Sequence, residues 1–428
     1  MKIVMFSNSY LPHVGGVARA VKTLEDACRK QGHAVRVIAP AFDGAESSPN
    51  VLRVPAIQHF NGSDFPLQLP VPNLIREFIK DFAPDIIHSH HPFLLGDSAL
   101  REARKMRVPI VFTHHTLYER YTHYVPLDSP ALKRVAIQLA TDYCNLCDQI
   151  IAPSESIARL LREREVVTPI AVIPTGIDLA LYASGDGKRF REMADIPPDA
   201  KVIGHVGRLA EEKNLTFLTK AVASCLREDS DAVFLIVGDG EDREAMLAIL
   251  NESASNHQIR AVGTQTGTDL ADAYAAMDWF VFASQSETQG LVLAEAMASG
   301  KPVIAIDGPG VREIIKDEEN GLLLSGHATI RDFSTALNCI VHDPELTRYC
   351  SEQARQAAAA YSADLCAQSL LDCYAQLIAS HTPPSPANLK PWDQFLTGIH
   401  TEWDLLREKM SAASAAVIQT SAIKNSLD

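Results

Sequence analysis

The sequence predicts an α/β protein made of two Rossmann-like, doubly wound domains that face each other across a cleft, followed by a helical tail. Three observations lead there. Short apolar runs alternate with stretches of helical periodicity, the pattern of parallel sheets covered by helices on both faces. The alternation halts in a polar stretch over 182–200 that carries Gly185, Gly187, Pro197 and Pro198, and then restarts. The chain has 428 residues, too many for one ordinary core and enough for two.

In chain order, Ile3-Val4-Met5-Phe6 is a buried first strand; a secretory signal would need an apolar core of ~7–15 residues. Residues 17–30 place apolar side chains at helical spacing and stop at Gly32, a usual helix terminator. Residues 34–39, 85–88, 109–112, 149–152 and 171–174 supply further strands. After the break, 201–206, 232–237, 279–283 and 302–306 form the second series. Residues 355–377 read as mostly helical, and His381-Thr382-Pro383-Pro384-Ser385-Pro386 as a stiff linker. In the tail, Trp392, Phe395, Leu396, Ile399, Trp403 and Leu406 fall at helical spacing, and docking back on the protein is the reading adopted. These limits give an N-terminal domain over 1–178, a hinge over 179–200 and a C-terminal domain over 201–360. A helix over 361–380 that can return to the N-terminal domain follows, then the linker and tail over 381–428.

Hydrophobic residues make up 46% and charged residues 21%, a normal globular balance. No apolar run approaches the ~18 residues of a membrane-spanning helix, so a cytoplasmic location is expected. The net charge of −14 argues against nucleic acid as a partner. It is unevenly placed: residues 1–178 hold 19 Lys/Arg and 18 Asp/Glu, and the rest hold 20 and 35. Any peripheral contact with the inner membrane face would therefore be made by the N-terminal half, with Arg101, Arg104, Lys105 and Arg107 as headgroup candidates. The eight cysteines lack framework spacing, and Cys144-x-x-Cys147 has no second pair, so reduced core thiols are expected.

Open parallel sheets bind ligands beyond the carboxyl ends of their strands, and three segments at such ends carry chemistry. The first is Ser286-Glu287-Thr288-Gln289-Gly290-Leu291 running on to Glu295 and Gly300. Gly290 admits close backbone approach, the amides around Thr288 to Leu291 open a helix and favour phosphate, and the two carboxylates can accept hydrogen bonds from sugar and ribose hydroxyls. The second is Gly207-Arg208 with Lys213, which follows a strand; both cations can meet the negative charge that develops on a departing diphosphate, without a metal. The third, Gly15-Gly16, separates the first strand from the first helix and permits approach to phosphate or sugar. Gly238-Asp239-Gly240 lacks the third glycine and the later acid of a dinucleotide fingerprint, which is rejected. His88, His90, His91, His114, His115 and His123 cluster, yet no acidic pattern completes a metal site, so no metal is expected.

Together and in this order, these segments and Ile173-Pro174-Thr175-Gly176-Ile177-Asp178 resemble the retaining glycosyltransferases of family 4, whose fold is called GT-B; the resemblance spans roughly residues 1–378. It implies that Glu287 holds the donor sugar, Glu295 the ribose, and Arg208 and Lys213 the donor phosphates, and that His115, just before Thr116, lies beside the sugar. His115 and Glu287 are thus the expected catalytic pair. Gly15, Gly16, Arg208, Lys213, Glu287, Thr288, Gln289, Gly290, Leu291 and Glu295 are the expected donor-binding set, and the nucleotide diphosphate sugar is a substrate with no further cofactor. A narrower resemblance, in the run from Phe112 to Tyr124 and in Glu287-Thr288-Gln289-Gly290-Leu291, is to the diacylglycerol glucosyltransferases, and it implies UDP-glucose as donor and a lipid hydroxyl as acceptor. Tyr118, Tyr121 and Tyr124 then become acceptor-side candidates, since i, i+3, i+6 spacing puts them roughly on one side of a helical turn; ordinary packing stays open for them. A soluble sugar acceptor, a nucleotide-sugar 2-epimerase on the same plan, and a nucleotide-sugar-binding protein without turnover remain as rivals.

Overall fold

A computed structural model describes residues 1–57, 67–68, 71–120, 129–253 and 255–381, with the backbone alone for residues 67, 68, 253 and 256. The chain divides into two units: Met1–Pro174 together with the chain from Cys366, and Thr175–Leu365.

The first unit holds β1 (Lys2–Phe6), α1 (Gly16–Lys30), β2 (Ala34–Pro40), β3 (Val51–Val54), the short antiparallel pair β4 (Ala56–Ile57) and β5 (Leu67–Gln68), and α2 (Pro72–Lys80). It continues through β6 (Ile86–Ser89), α3 (Leu95–Met106), β7 (Ile110–Thr113), α4 (Pro130–Leu146), β8 (Gln149–Ala152), α5 (Glu155–Glu163) and β9 (Ile170–Val172). Its sheet runs β3-β2-β1-β6-β7-β8-β9, parallel throughout. Adjacent strand residues feed opposite layers: Ile3 and Met5 go to one core, Val4 and Phe6 to the other. Burial on both faces is why these strands read as unbroken apolar runs.

The second unit opens with α6 (Leu179–Ala183) and α7 (Gly187–Met193), then alternates β10 (Lys201–Val206), α8 (Leu215–Glu228), β11 (Ala232–Val237), α9 (Arg243–Ser253), β12 (Ile259–Ala261) and α10 (Gly267–Ala276). β13 (Trp279–Phe282), α11 (Leu291–Ala298), β14 (Val303–Ile306), β15 (Gly321–Leu324), α12 (Ile330–Val341) and α13 (Pro344–Ala358) complete it. Its parallel sheet runs β12-β11-β10-β13-β14-β15. Each sheet reverses its winding beside its first strand, between β1 and β6 and between β10 and β13. In a doubly wound sheet this is where a crevice opens at the carboxyl edge.

Two boundaries differ from the sequence reading. The stretch expected as a hinge, 179–200, is part of the second unit. Its isolated apolar residues Tyr182, Phe190 and Ile196 are buried in that unit's core, and Arg189 and Arg191 pair with Asp272 and Asp278. The glycines and prolines of this stretch mark turns between packed helices rather than a free linker. The expected 355–377 helix is instead the end of α13, a 3-10 turn over Ala359–Tyr361, and α14 (Ala363–Ser380). α14 sends Leu370, Leu371 and Tyr374 into the core that contains Ile3 and Met5. The linker and tail beyond His381 lie outside the described residues.

Gly238-Asp239-Gly240 has a packing role. A Cβ on Gly238, whose φ is +134, would lie 1.9 Å from the Gly207 carbonyl oxygen. The glycine thus lets the loop after β11 lie on the loop after β10, where Leu209 N donates to Asp239 O at 2.9 Å. Gly238→Ala is expected to cost about 3 kcal/mol in strain and clash, read as a lower urea midpoint.

Candidate active site

The crevice end of the second sheet gathers the charged residues that matter. β10 ends at Val206, and the chain passes through Gly207 and Arg208 into a 3-10 turn, Glu211–Lys213, before α8. β13 ends at Phe282, and the chain runs through Ser284 to Gly290 before α11. Ser286 Oγ donates to Glu212 O at 3.0 Å and binds one loop to the other. Across them Lys213 Nζ donates to Glu287 Oε1 at 2.6 Å, with 16% and 15% of the two side chains exposed. Burial by itself would raise the Glu287 carboxyl. The charge and hydrogen bond of Lys213, a hydrogen bond from Ser284 and the field of His205 outweigh it and hold the group below the ordinary carboxylate range. Glu287 is therefore an anion at neutral pH, locked to a cation yet reachable.

The other expected donor contacts divide. Arg208 and Lys213 do not form a bare cation couple: Arg208 pairs with Glu212 and Lys213 with Glu287. Arg208 is the more open, at 42%. Gly290 caps α11 with φ +77, where a side chain would be strained and its Cβ would sit 2.9 Å from Leu293 Cδ1. Leu291 opens the helix, so the amide-rich, electropositive helix start lies beside Glu287 in sequence. Gln289, expected at the ligand, is instead buried and engaged with the backbone of Thr175: it accepts from Thr175 N at 2.7 Å and donates to Thr175 O at 2.9 Å. A primary amide matches a peptide group in this way, which pins the loop to the unit's first residue. Thr288 is half-buried. Glu295 is 2% exposed and accepts a 2.8 Å hydrogen bond from the Tyr274 hydroxyl, so α10 orients that carboxylate.

Sequence reading missed His205. It stands on β10, 1% exposed, with Nδ1 3.1 Å from Val281 O and its ring stacked on Phe280 and Phe282. Burial pushes its imidazole down to about 4, so it is neutral; the nearby Lys213 lowers it further and Glu287 acts in the opposite direction. In the sequence it is one polar letter inside Lys201-Val202-Ile203-Gly204-His205-Val206, indistinguishable from a core histidine.

In the first unit Gly15 caps α1 and Gly16 begins it, at the carboxyl end of β1. The histidines sit at the ends of β6 and β7. His115 Nε2 meets His90 Nδ1 at 2.9 Å, His88 meets Thr113 Oγ1 at 2.7 Å and the Tyr374 hydroxyl at 2.5 Å, and Asn8 N donates to His91 Nδ1 at 3.0 Å. Among the described residues no group of three or more His, Cys, Asp or Glu could hold a metal ion. Tyr118 packs edge-on against Phe93 and His114. It lies on a 3-10 turn, Tyr118–Arg120, and Tyr121, His123 and Tyr124 fall outside the described residues.

Two doubly wound units, with an anion–cation pair and a helix start at the crevice edge of one of them, define a glycosyltransferase of the GT-B type. The model of glycosyltransferase family 4 matches residues 14–181 and that of the group 1 glycosyl transferases residues 186–357. The chain is 31% identical over 360 residues to an alpha-monoglucosyldiacylglycerol synthase of Streptococcus pneumoniae, covering 82% of this chain and 80% of the relative. It is 29% identical over 392 residues to the synthase of the same description from Acholeplasma laidlawii, covering 88% and 98%. A GDP-mannose-dependent alpha-mannosyltransferase of Mycobacterium tuberculosis is 31% identical over 331 residues, covering 76% and 84%. Among solved structures, sucrose-phosphate synthase of Thermosynechococcus elongatus superposes with a TM-score of 0.73 at 21% identity, covering 89% and 99% of the two chains. Anabaena HepE in complex with UDP-glucose gives 0.70 at 19%, covering 88% and 100%. The chain belongs to glycosyltransferase family 4, alongside the diacylglycerol glucosyltransferase-like members. Among the described residues no helix is long and apolar enough to cross a membrane.

Proposed function

We propose that this enzyme transfers glucose from UDP-glucose to the hydroxyl of diacylglycerol or a related lipid, with retention at the anomeric carbon and without a metal ion. The observation that carries the reading is the Lys213–Glu287 pair at the switch point of the second sheet. The lipid acceptor and the glucose rest on the two synthases, which are similar over four-fifths or more of their own length.

In this reading Glu287 accepts hydrogen bonds from the sugar hydroxyls and Glu295, steadied by Tyr274, takes the ribose. An ammonium carries three N–H groups, so Lys213 can hold Glu287 and meet phosphate oxygens with the same head. Arg208 and the amides at the start of α11 add positive field where the diphosphate gains charge as the bond to the sugar breaks. The acceptor hydroxyl attacks from the face that the nucleotide leaves. His115 is kept as a catalytic residue on the family resemblance alone. That unit, nearly neutral in charge, meets the lipid surface peripherally from the cytoplasmic side.

The test is incubation with labelled UDP-glucose and diacylglycerol, soluble sugars as control acceptors, and separation of the products by phase. Label in the organic phase, released by α- but not β-glucosidase, is expected; label only in water-soluble product removes the lipid acceptor. Activity should be unchanged in excess chelator, and its loss there would sink the metal-free mechanism. The mycobacterial relative favours a second reading with GDP-mannose as donor, which the same assay separates. Lys213→Ala should weaken UDP binding at least about tenfold by calorimetry, the worth of a charged hydrogen bond. Arg208→Ala should weaken it less, because that guanidinium is the more exposed of the two cations.

A further inference from the structure

Pro198, Asp278 and Lys301 stand just before β10, β13 and β14, three neighbouring strands of the second sheet. They mark the amino edge of that sheet, opposite the crevice that holds Lys213 and Glu287. A cavity of about 740 Å³ opens at this edge, lined by residues of the second unit. Its volume falls within the ~300–1,000 Å³ of small-ligand pockets. Buried Ile196 and Ala298 give it an apolar side. Four cations line it: Lys188 and Arg191 from α7, Lys301, and Arg355 from α13. Among the described residues the one acid in the lining is Glu192.

Helix ends account for part of this charge, since α10 and α11 close beside the cavity and their last carbonyls favour cations. Arg191 is spent there: Nε donates to Ala276 O at 2.9 Å, Nη1 to Pro198 O at 2.8 Å and Nη2 to the Asp278 carboxylate at 3.0 Å. Lys301 Nζ donates to Ala275 O at 2.9 Å, which uses one of its three N–H groups. The side chains of Lys188 and Arg355, both exposed, have no hydrogen bond or ion pair among the described residues. Arg355 is nevertheless held in place. Its guanidinium lies on Gly300, where a Cβ would run into Nε and Cζ, and Ser351, one turn earlier on α13, donates to Gly300 O at 2.5 Å. It therefore stands one residue from Lys301. Burial pushes the Lys301 ammonium down to about 8; Asp278 resists that shift, and Arg191 and Arg355 add to it.

We propose that this cavity is a further binding site, for the dianion of a phosphate monoester. The phosphate sits among Lys301, Arg355 and Lys188, and the organic part lies against Ile196 and Ala298. An arginine fork matches two phosphate oxygens, and the two ammonium groups meet the remaining charge. A carboxylate brings one charge and two oxygens, so it answers the surplus less well. The proposal does not depend on the donor or acceptor named above.

The experiment uses the full chain in excess UDP, which fills the donor crevice. Phenyl phosphate is the probe and benzoate the singly charged control. Calorimetry should show one phenyl phosphate bound per chain and at least about tenfold weaker binding of benzoate. Arg355→Gln should weaken phenyl phosphate at least about threefold, and Arg355→Gln with Lys301→Gln at least about tenfold, with UDP affinity within about twofold of the parent. Arg355 is exposed, so its variant keeps the test sound even where the half-buried Lys301 is needed for folding. With lysine labelled at Cε with 13C, the signal lost in Lys301→Gln should titrate at higher pH once phenyl phosphate is bound, because a bound anion favours the ammonium. Phosphatidylglycerol vesicles separate a lipid headgroup from a free ester; as singly charged phosphodiesters they should not displace the probe. Four results overturn the proposal: no phenyl phosphate bound, benzoate bound equally well, undiminished binding in folded Arg355→Gln, or displacement of the probe by the vesicles.

Discussion

Glu287→Gln is expected to lower kcat by about a hundredfold or more while leaving UDP binding unchanged or tighter. The opposite signs follow from the pair. Gln keeps the shape of Glu but loses the charge, so it holds sugar hydroxyls more weakly in the transition state. The same change removes the anion that engages Lys213 at 2.6 Å, and the ammonium is then freer to serve the diphosphate. Steady-state kinetics and UDP calorimetry on the one variant check both halves. A parent-like kcat would remove Glu287 from the chemistry. A loss of UDP affinity would mean that the carboxylate positions Lys213 rather than competes for it.

The second large effect is acid instability that begins near neutrality and starts in the first unit. Among the described residues burial strongly depresses six imidazoles: His88, His91 and His115 to about 3, His114 and His205 to about 4, and His90 well below its usual value. Unfolded, each titrates near its ordinary value of about 6.5. Below that pH the unfolded chain binds protons that the folded chain refuses, so stability falls as pH falls, from about 6.5 down toward the folded values. Each group contributes up to about 1.4 kcal/mol per pH unit in that window, against a typical total of about 5–15 kcal/mol. Five of the six belong to the first unit. Limited proteolysis between pH 7.5 and 5 should therefore cut the first unit before the second; equal protection of both down to pH 5 would contradict the burial of these rings.

The central strands were legible because burial on both faces leaves a plain apolar signal, as in Ala232-Val233-Phe234-Leu235-Ile236-Val237. The edge strands β3 and β12 were not, since Val51-Leu52-Arg53-Val54 and Ile259-Arg260-Ala261 are short and carry a charge. The 179–200 stretch misled for the reverse reason: Tyr182, Phe190 and Ile196 are scattered among charges, and they join a core only once α6 and α7 pack on α10. At the site, residue types and spacing pointed to Glu287, Lys213 and Gly290. They could not assign partners. Gln289 meets Thr175 across 114 positions, and Glu295 meets Tyr274 on a different helix. Such pairings exist only once both elements are docked.

The path of the chain has a consequence for how the molecule is made. It leaves the first unit at Pro174 and rejoins it at Cys366. Residues 175–365 are contiguous, and their core draws on neither flank, so that half can close as soon as it clears the ribosome. The half that emerges earliest must wait for the whole insert to be translated before Leu370, Leu371 and Tyr374 arrive to seal it. A nascent chain stalled short of Cys366 would carry a finished later half behind an unsealed earlier one, with His88 still lacking the hydroxyl of Tyr374, and this is the stage at which chaperone capture is most needed.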